Sequence, residues 1–201
     1  MAKQYDHIDD KQRAFIERQH LFFVASAAPG AHVNVSPKGL DALRVLGPNS
    51  VVYLDRTGSG NETAAHMLAD GRMTIMFCAF DGPPLILRLY GRGRVLPRGG
   101  AEYLDLLSSR FGGEEPLGAR QMVMLDVALV QTSCGYGVPS YEYLGERPSL
   151  VNWEPLKGEA GLAAYRQEKN VRSIDGLPTG FAERAAVQIH LNTDRYSLDS
   201  G

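Results

Sequence analysis

The sequence predicts a mainly β protein with flanking helices, built as a six-stranded antiparallel barrel within one domain. Three observations carry that expectation. Six runs are rich in branched and aromatic residues: "LFFVASA", "HVNVS", "VVYLD", "MTIMFCAF", "LILRLYGRGRVL" and "MVMLDVALVQTS". The breaks between them have turn chemistry, as at Ala28-Pro29-Gly30 and Asp81-Gly82-Pro83-Pro84. Helical patterns are few and do not alternate with the strands, which argues against a doubly wound parallel sheet.

Each element has its own signal. Asp9 or Asp10 caps a first helix, with Ala14, Phe15 and Leu21 at loosely helical spacing. The first two strands form a hairpin, and Val33 and Val35 alternate with His32, Asn34 and Ser36 as in a half-buried strand. A loop containing Gly47-Pro48-Asn49 leads to "VVYLD", and the turn Thr57 to Gly60 leads to a helix from Asn61 to Asp70 that Gly71 stops. Gly91 and Gly93 mark a bend or bulge in the long fifth strand. A helix over "AEYLDLLSSRF" precedes the last strand, which ends at Ser133. Residues 1–133 are therefore read as the barrel, and residues 134–201 as an arm that packs on the barrel or on a partner subunit. Within the arm, Gly, Pro and aromatics alternate with charge, Trp153 is a packing residue, and "AAVQIHL" is a short edge strand.

Composition narrows the function. With 201 residues, 44% of them hydrophobic, the chain can bury a full core. A net charge of -2 gives no basic field for nucleic acid or an anionic membrane, so a small neutral or anionic ligand is expected. Cys78 and Cys134 are too few for a disulfide framework and fit a reducing compartment. The charged start "MAKQYDHIDDKQRAFIERQH" does not resemble a signal peptide, and no stretch approaches the ~18 apolar residues of a membrane helix. The expectation is a soluble cytoplasmic protein. The five histidines are scattered, which argues against a metal cluster.

Two stretches could carry chemistry. In "DRTGSGNETAAHMLADG", Ser59 to Glu62 matches a capping box, in which the Ser59 side chain and Glu62 satisfy each other's amides. The same glycine-flanked helix start, with Thr57, Gly58, Ser59, Gly60 and Asn61, is also suited to cradling a phosphate. Asn34 and Ser36 project from one face of the second strand, and Lys38 follows at the next alternate position as a candidate cation for that phosphate. The third glycine of a dinucleotide fingerprint is replaced by Thr63, and Walker, zinc-protease and nucleophile-elbow patterns do not occur. In "QTSCGYGVP", Cys134 and Tyr136 are read either as a strand end with a thiol or as the substrate side of a ligand site.

With these residues in view, the order of "HVNVSPKG", "VVYLDRTGSGNETAAHMLADGRMTIMF" and "LRLYGRGRV" resembles the pyridoxamine 5'-phosphate oxidase-like, FMN-binding split-barrel family over Phe15 to Ser133. The segments "SPKG", "GNETAAHM", "QTSCGYGVP" and "KNVRSIDGLP" resemble one branch of it. The resemblance implies a homodimer with FMN between two subunits and a small-molecule substrate. It also implies a phosphate held by a basic residue, here Lys38, and by an S-x-K motif, here Ser59 to Asn61. Asn61 stands where that motif has a basic residue, and Arg56 or Arg88 is then the candidate for the missing charge. The implied activity is a two-electron oxidoreductase, in which the cofactor supplies the redox chemistry and no nucleophile is needed. A non-catalytic flavin or haem carrier, and a protein using a deazaflavin, are the rival readings.

Overall fold

The computed structural model describes residues 2–181. Its eight strands form an antiparallel sheet in the order β3-β2-β6-β7-β8-β5-β4, with β1 added on β8. In chain order the elements are β1 (Lys3–Tyr5), α1 (Asp10–Glu17), β2 (Phe22–Ser26), β3 (Asn34–Lys38), β4 (Leu43–Gly47) and β5 (Ser50–Arg56). They continue as α2 (Glu62–Ala69), β6 (Arg72–Cys78), β7 (Ile86–Pro97), α3 (Ala101–Arg110), β8 (Ala119–Ser133) and α4 (Ser149–Lys169). The class is the one expected, an antiparallel β fold with flanking helices. The count is not: β1 and β4 join the six expected strands. Both are short, and β4 carries Arg44 in mid-strand, so neither has the apolar run that marks a strand. Pairing reveals β4, because Pro48 and Asn49 turn it straight back onto β5.

β8 organises the sheet. One edge pairs with β7 from Gln121 to Ser133, while the other pairs first with β5 and then, from Val130 to Thr132, with β1. β5 and the first half of β8 are buried on both faces. Val51, Tyr53, Val123 and Leu125 face the barrel interior with Phe22, Ile75, Phe77 and Leu89. Their neighbours Val52, Leu54, Met122 and Met124 pack outward against Tyr103, Leu106 and Leu107 of α3. A strand covered on both sides reads as a continuous apolar run, which is why "VVYL" and "MVML" show no alternation.

Several local expectations change. Asp9 caps α1 in a reciprocal box with Gln12, and the helix buries Phe15 and Ile16, whereas Ala14 is exposed and Leu21 lies beyond its end. The alternation expected in β3 is present, with the polar residues on its more covered face and Val33 and Val35 70% and 61% exposed. α2 begins where expected, with Asn61 at its N-cap position, but the Ser59–Glu62 capping box does not form. The arm contains α4, two helical stretches meeting at Gly158, whose φ of 64° and ψ of 173° interrupt the helix. The expected strand "AAVQIHL" lies outside the described residues.

Gly91 is required by contact rather than by φ. The register of β7 on β8 shifts between Tyr90 and Gly91, the irregularity expected there, and a Cβ at Gly91 would stand 1.9 Å from the Asp126 carbonyl oxygen. Backbone must move to admit it. Gly91→Ala should therefore cost about 1–3 kcal/mol in urea unfolding. Gly47→Ala, where a Cβ meets nothing within 4 Å, should stay within about 0.5 kcal/mol of the parent.

Candidate functional site: a charged cleft at the start of α2

The site is assembled around one carboxylate. Asp55 follows the apolar run of β5 on the same inward face as Val51 and Tyr53, and it is buried. Lys38 Nζ donates to its Oδ1 at 2.9 Å, and Arg120 donates to its Oδ2 through Nε at 2.9 Å and Nη2 at 2.7 Å. Gln121 Nε2 adds a fourth bond at 3.0 Å. Consecutive residues of a regular strand point to opposite faces, so Arg120 and Gln121 should not share a target. They do because the β5–β8 register shifts between Asp55 and Arg56, leaving Arg120 as the extra residue between two paired positions.

Burial by itself pushes the Asp55 carboxyl up, but the charges of Arg120 and Lys38 and their hydrogen bonds outweigh it and hold the group well below the ordinary carboxylate range. The Arg166 guanidinium also falls below its usual value, in its case through burial and the neighbouring charges of Arg98 and Arg120, against the opposing pull of Glu115 and Glu159. Two cations against one carboxylate leave the Lys38–Asp55–Arg120 cluster with one surplus positive charge.

The turn after β5 is held from the arm. Arg56 forms a two-pronged pair with Glu154, with Nε to Oε1 at 2.7 Å. Glu154 fits only because residue 118 is glycine, since a Cβ there would fall 1.9 Å from Glu154 Oε1. Thr57 is buried, donates to the Gly118 carbonyl at 2.9 Å and accepts from Arg166 Nε at 2.7 Å. Asn170 donates to the Gly58 carbonyl at 3.0 Å and accepts from Arg120 Nη1 at 2.8 Å. The Gly60 carbonyl accepts from the same Arg120 nitrogen at 2.8 Å.

This holding frees the helix start. Asn61 has the residue type of a cap, yet its Oδ1 accepts from Gln121 Nε2 at 2.8 Å and its Nδ2 donates to the Asn170 carbonyl at 3.3 Å. Glu62 accepts from the Ile174 amide instead of reaching back to the turn. No side chain among the described residues caps α2. Its first-turn amides therefore keep their positive end of the helix dipole for an outside acceptor.

A cleft of about 370 Å³ opens at this point, and its walls include Asn34, Ser36, Lys38, Arg56, Gly58, Ser59, Gly60 and Asn61. Asp55, Glu62, Thr63, Arg120 and Ile174 complete it. Asn34 links β3 to the helix through Thr63 Oγ1 at 3.2 Å. Ser59 is exposed at the rim, and a Cβ at Gly58 would meet nothing within 4 Å. A larger cavity of about 690 Å³ shares the Lys38 wall and is lined by Phe80, Tyr141 and the stacked rings of His20 and Tyr143, whose centroids are 3.6 Å apart.

Of the residues expected from sequence, four lie away from the cleft walls. Thr57 sits behind the turn. Arg88 is at the far end of the β7–β8 ladder, beside Gln131, and donates to Ser133 Oγ at 3.2 Å. Cys134 is exposed beside a separate depression with Lys3 and Tyr5, and Tyr136 is 82% exposed. Sequence reasoning missed Asp55, Arg120, Gln121 and Asn170. An Arg-Gln pair at the head of an apolar strand was the available signal for two of them. Asn170 had none, because only the tertiary fold brings it to the turn.

The profile of the family described as pyridoxamine 5'-phosphate oxidase matches residues 8–134. The chain is also 40% identical over 192 residues to the pyridoxamine 5'-phosphate oxidase family protein ustO of Aspergillus flavus, covering 87% of this chain and 76% of that one. The chain belongs to the pyridoxamine 5'-phosphate oxidase family. Among solved structures it is similar to a tagged variant of HupZ from Group A Streptococcus, with a TM-score of 0.52, 19% identity and coverage of 63% of this chain and 99% of that one. At that identity the likeness shows the fold. The family match ends at residue 134, whereas the ustO relationship covers most of the chain.

Asp55 makes stability depend on acid. A carboxylate whose native pKa is depressed contributes stability above its unfolded value of about 3.9 and loses it as pH falls from there toward the native value. Urea unfolding should show stability decreasing below about pH 4. In Asp55→Asn much of that dependence should vanish, together with about 3–5 kcal/mol at pH 7, because Arg120 is left as a buried charge without its partner.

Proposed function

We propose that this member of the pyridoxamine 5'-phosphate oxidase family binds a flavin, FMN in the first instance, and acts as a two-electron oxidoreductase on a small molecule. The observation that carries the reading is the uncapped start of α2, facing a cleft that also presents Lys38, Ser36 and Ser59. Open amides, hydroxyls and a cation with surplus positive charge are the donor set that a phosphate monoester requires. Asn61 does not supply the charge of the S-x-K pattern. Arg120 supplies charge from the opposite wall, through a guanidinium already tied to Asp55, Gly60 and Asn170.

In this reading a bound flavin supplies the hydride chemistry, and the chain contributes binding and orientation. Lys38 and the first-turn amides hold the phosphate end. The larger cavity across Lys38, with its aromatic lining, takes the ring or the substrate. Arg56 stays with Glu154 and acts by fixing the turn.

A homodimer completes the proposal. On the outer face of β2, β3 and β6, Phe23 lies opposite Pro37 and Met76, and Ala25 lies opposite Val35. With Val33 and Val35 largely exposed, this apolar strip suits a second copy of the chain. Val35→Glu should give a monomer by light scattering and release the flavin. A dimer with undiminished flavin affinity would contradict the shared site.

The phosphate assignment is tested by titrating FMN and riboflavin against the parent, Lys38→Ala and Ser59→Asp. FMN should weaken by about 10–100-fold in each variant, equivalent to ~1.5–3 kcal/mol, while riboflavin changes little. Equal losses for both ligands would sink it. Ser59 is exposed and caps nothing, so Ser59→Ala should leave apo stability within about 0.5 kcal/mol of the parent. Mass spectrometry of the released chromophore separates FMN from a deazaflavin or haem. A yellow protein that does not turn over reductant with an acceptor would be a carrier.

A further inference from the structure

At the edge of the cleft, α2 carries a second group of polar atoms that the flavin reading does not use. Glu62 and His66 are four residues apart on one helical face, and Asp175 of the arm comes up beside them. A carboxylate oxygen from each acid and a ring nitrogen of His66 all lie within 4.8 Å of one another. The scatter of histidines along the sequence concealed this cluster, because two of its three members are carboxylates.

The decisive member is His66. Its side chain is fully buried, and its Nδ1 is engaged by Ser26 Oγ at 2.9 Å. Nε2 is also buried and has no hydrogen-bond partner. In the tautomer that carries its proton on Nδ1 and donates it to Ser26, Nε2 presents a lone pair. An imidazole fixed through one nitrogen and open at the other is the arrangement of a metal-ligating histidine. A buried nitrogen left without a partner otherwise costs the desolvation of an unmade bond.

The carboxylates retain coordinating capacity. Both Glu62 oxygens accept from the Ile174 amide, at 3.2 and 3.1 Å. Asp175 accepts from His32 Nδ1 at 2.6 Å and from the His32 amide at 2.9 Å, which orients it from the outside. Each carboxylate oxygen has a further lone pair. Ligands about 2.0–2.2 Å from a common ion stand roughly 3.4 Å apart, so separations of up to 4.8 Å have to contract by up to about 1.4 Å, within the reach of side-chain rotation in Glu62 and Asp175.

We propose that Glu62, His66 and Asp175 form a binding site for a divalent first-row transition ion, with Zn²⁺ as the probe of choice. The imidazole selects against Mg²⁺ and Ca²⁺, and three protein ligands leave a further position for water or another donor. The ion would tie the arm to α2 and offset the negative charge of Glu62 beside the cleft. The site does not depend on flavin binding, since Lys38 and Ser59 are not among its ligands.

The test is a calorimetric Zn²⁺ titration of the chelator-treated full chain, backed by metal analysis after dialysis and by the visible spectrum of the Co²⁺ form. One ion per chain is expected. Glu62→Gln and Asp175→Asn should each weaken it by at least tenfold and alter the Co²⁺ spectrum. Both positions are only partly buried, so thermal midpoints measured without metal check that the variants fold. His7→Ala, which removes an exposed histidine paired with Asp6, should leave the tight site unchanged. Absence of one-to-one binding, or affinity in both carboxylate variants equal to that of the parent, would overturn the assignment.

Discussion

The buried carboxylate of Asp55 is the constraint on which the rest of this structure depends. Lys38 comes from β3, Arg120 and Gln121 from β8, and Asp55 itself from β5, so one group joins three strands. β3 is at one end of the sheet and β5 near the other, and no ladder connects them. The ion pair from Lys38 to Asp55 closes that gap across the barrel interior. Arg120 then carries the order onward to Gly60 and Asn170. A buried pair of this kind is a poor source of net stability, because desolvation offsets much of the Coulombic gain. Its value lies in specification: it accepts one arrangement of the turn and the arm and penalises others.

That role explains how α2 can begin without a side-chain cap. A helix start normally satisfies its amides locally, through a residue such as Ser59 and a partner such as Glu62. Here Asn61, Glu62 and the turn carbonyls are held by β8 and the arm. The geometry of residues 56–61 is thus set by groups distant in sequence, and the first turn of α2 is left without a side-chain cap beside the cleft. Local order has been exchanged for tertiary order at one site.

The same exchange marks the boundary of what the sequence could reveal. The barrel class, the position of α2, the irregularity at Gly91 and the grouping of Asn34, Ser36, Lys38 and Ser59 all follow from local pattern, and local pattern is legible. β4 escaped because its strand character comes from pairing with β5, not from its residues. The alternation of Val33 and Val35 with Asn34 and Ser36 reports that this strand has two faces but not which one is inside, and only the fold shows that the polar face is the inner one. The Ser59–Glu62 box has the right spacing, but Glu62 was drawn to the Ile174 amide of a segment 112 positions away. Arg88 and Cys134 were plausible by residue type, and only the β7–β8 register shows that they lie at the opposite end of the ladder from Arg120.

Polar atoms without partners point to the same region. Among the described residues these are the Tyr53 hydroxyl, His66 Nε2 and Gln121 Oε1. Tyr53 lies under Lys38, 5.7 Å from its Nζ, with its hydroxyl near Thr63 but without a hydrogen bond of good geometry. Gln121 touches Asp55 and Asn61, and His66 is on α2 itself. Native cores leave few such atoms, and each calls for an explanation. Had they been spread through the barrel, they would speak of loose packing. Gathered around one helix start, beside an uncapped dipole and a cluster of cations, they mark the place where this fold departs from local consistency, which is where a binding site is to be expected.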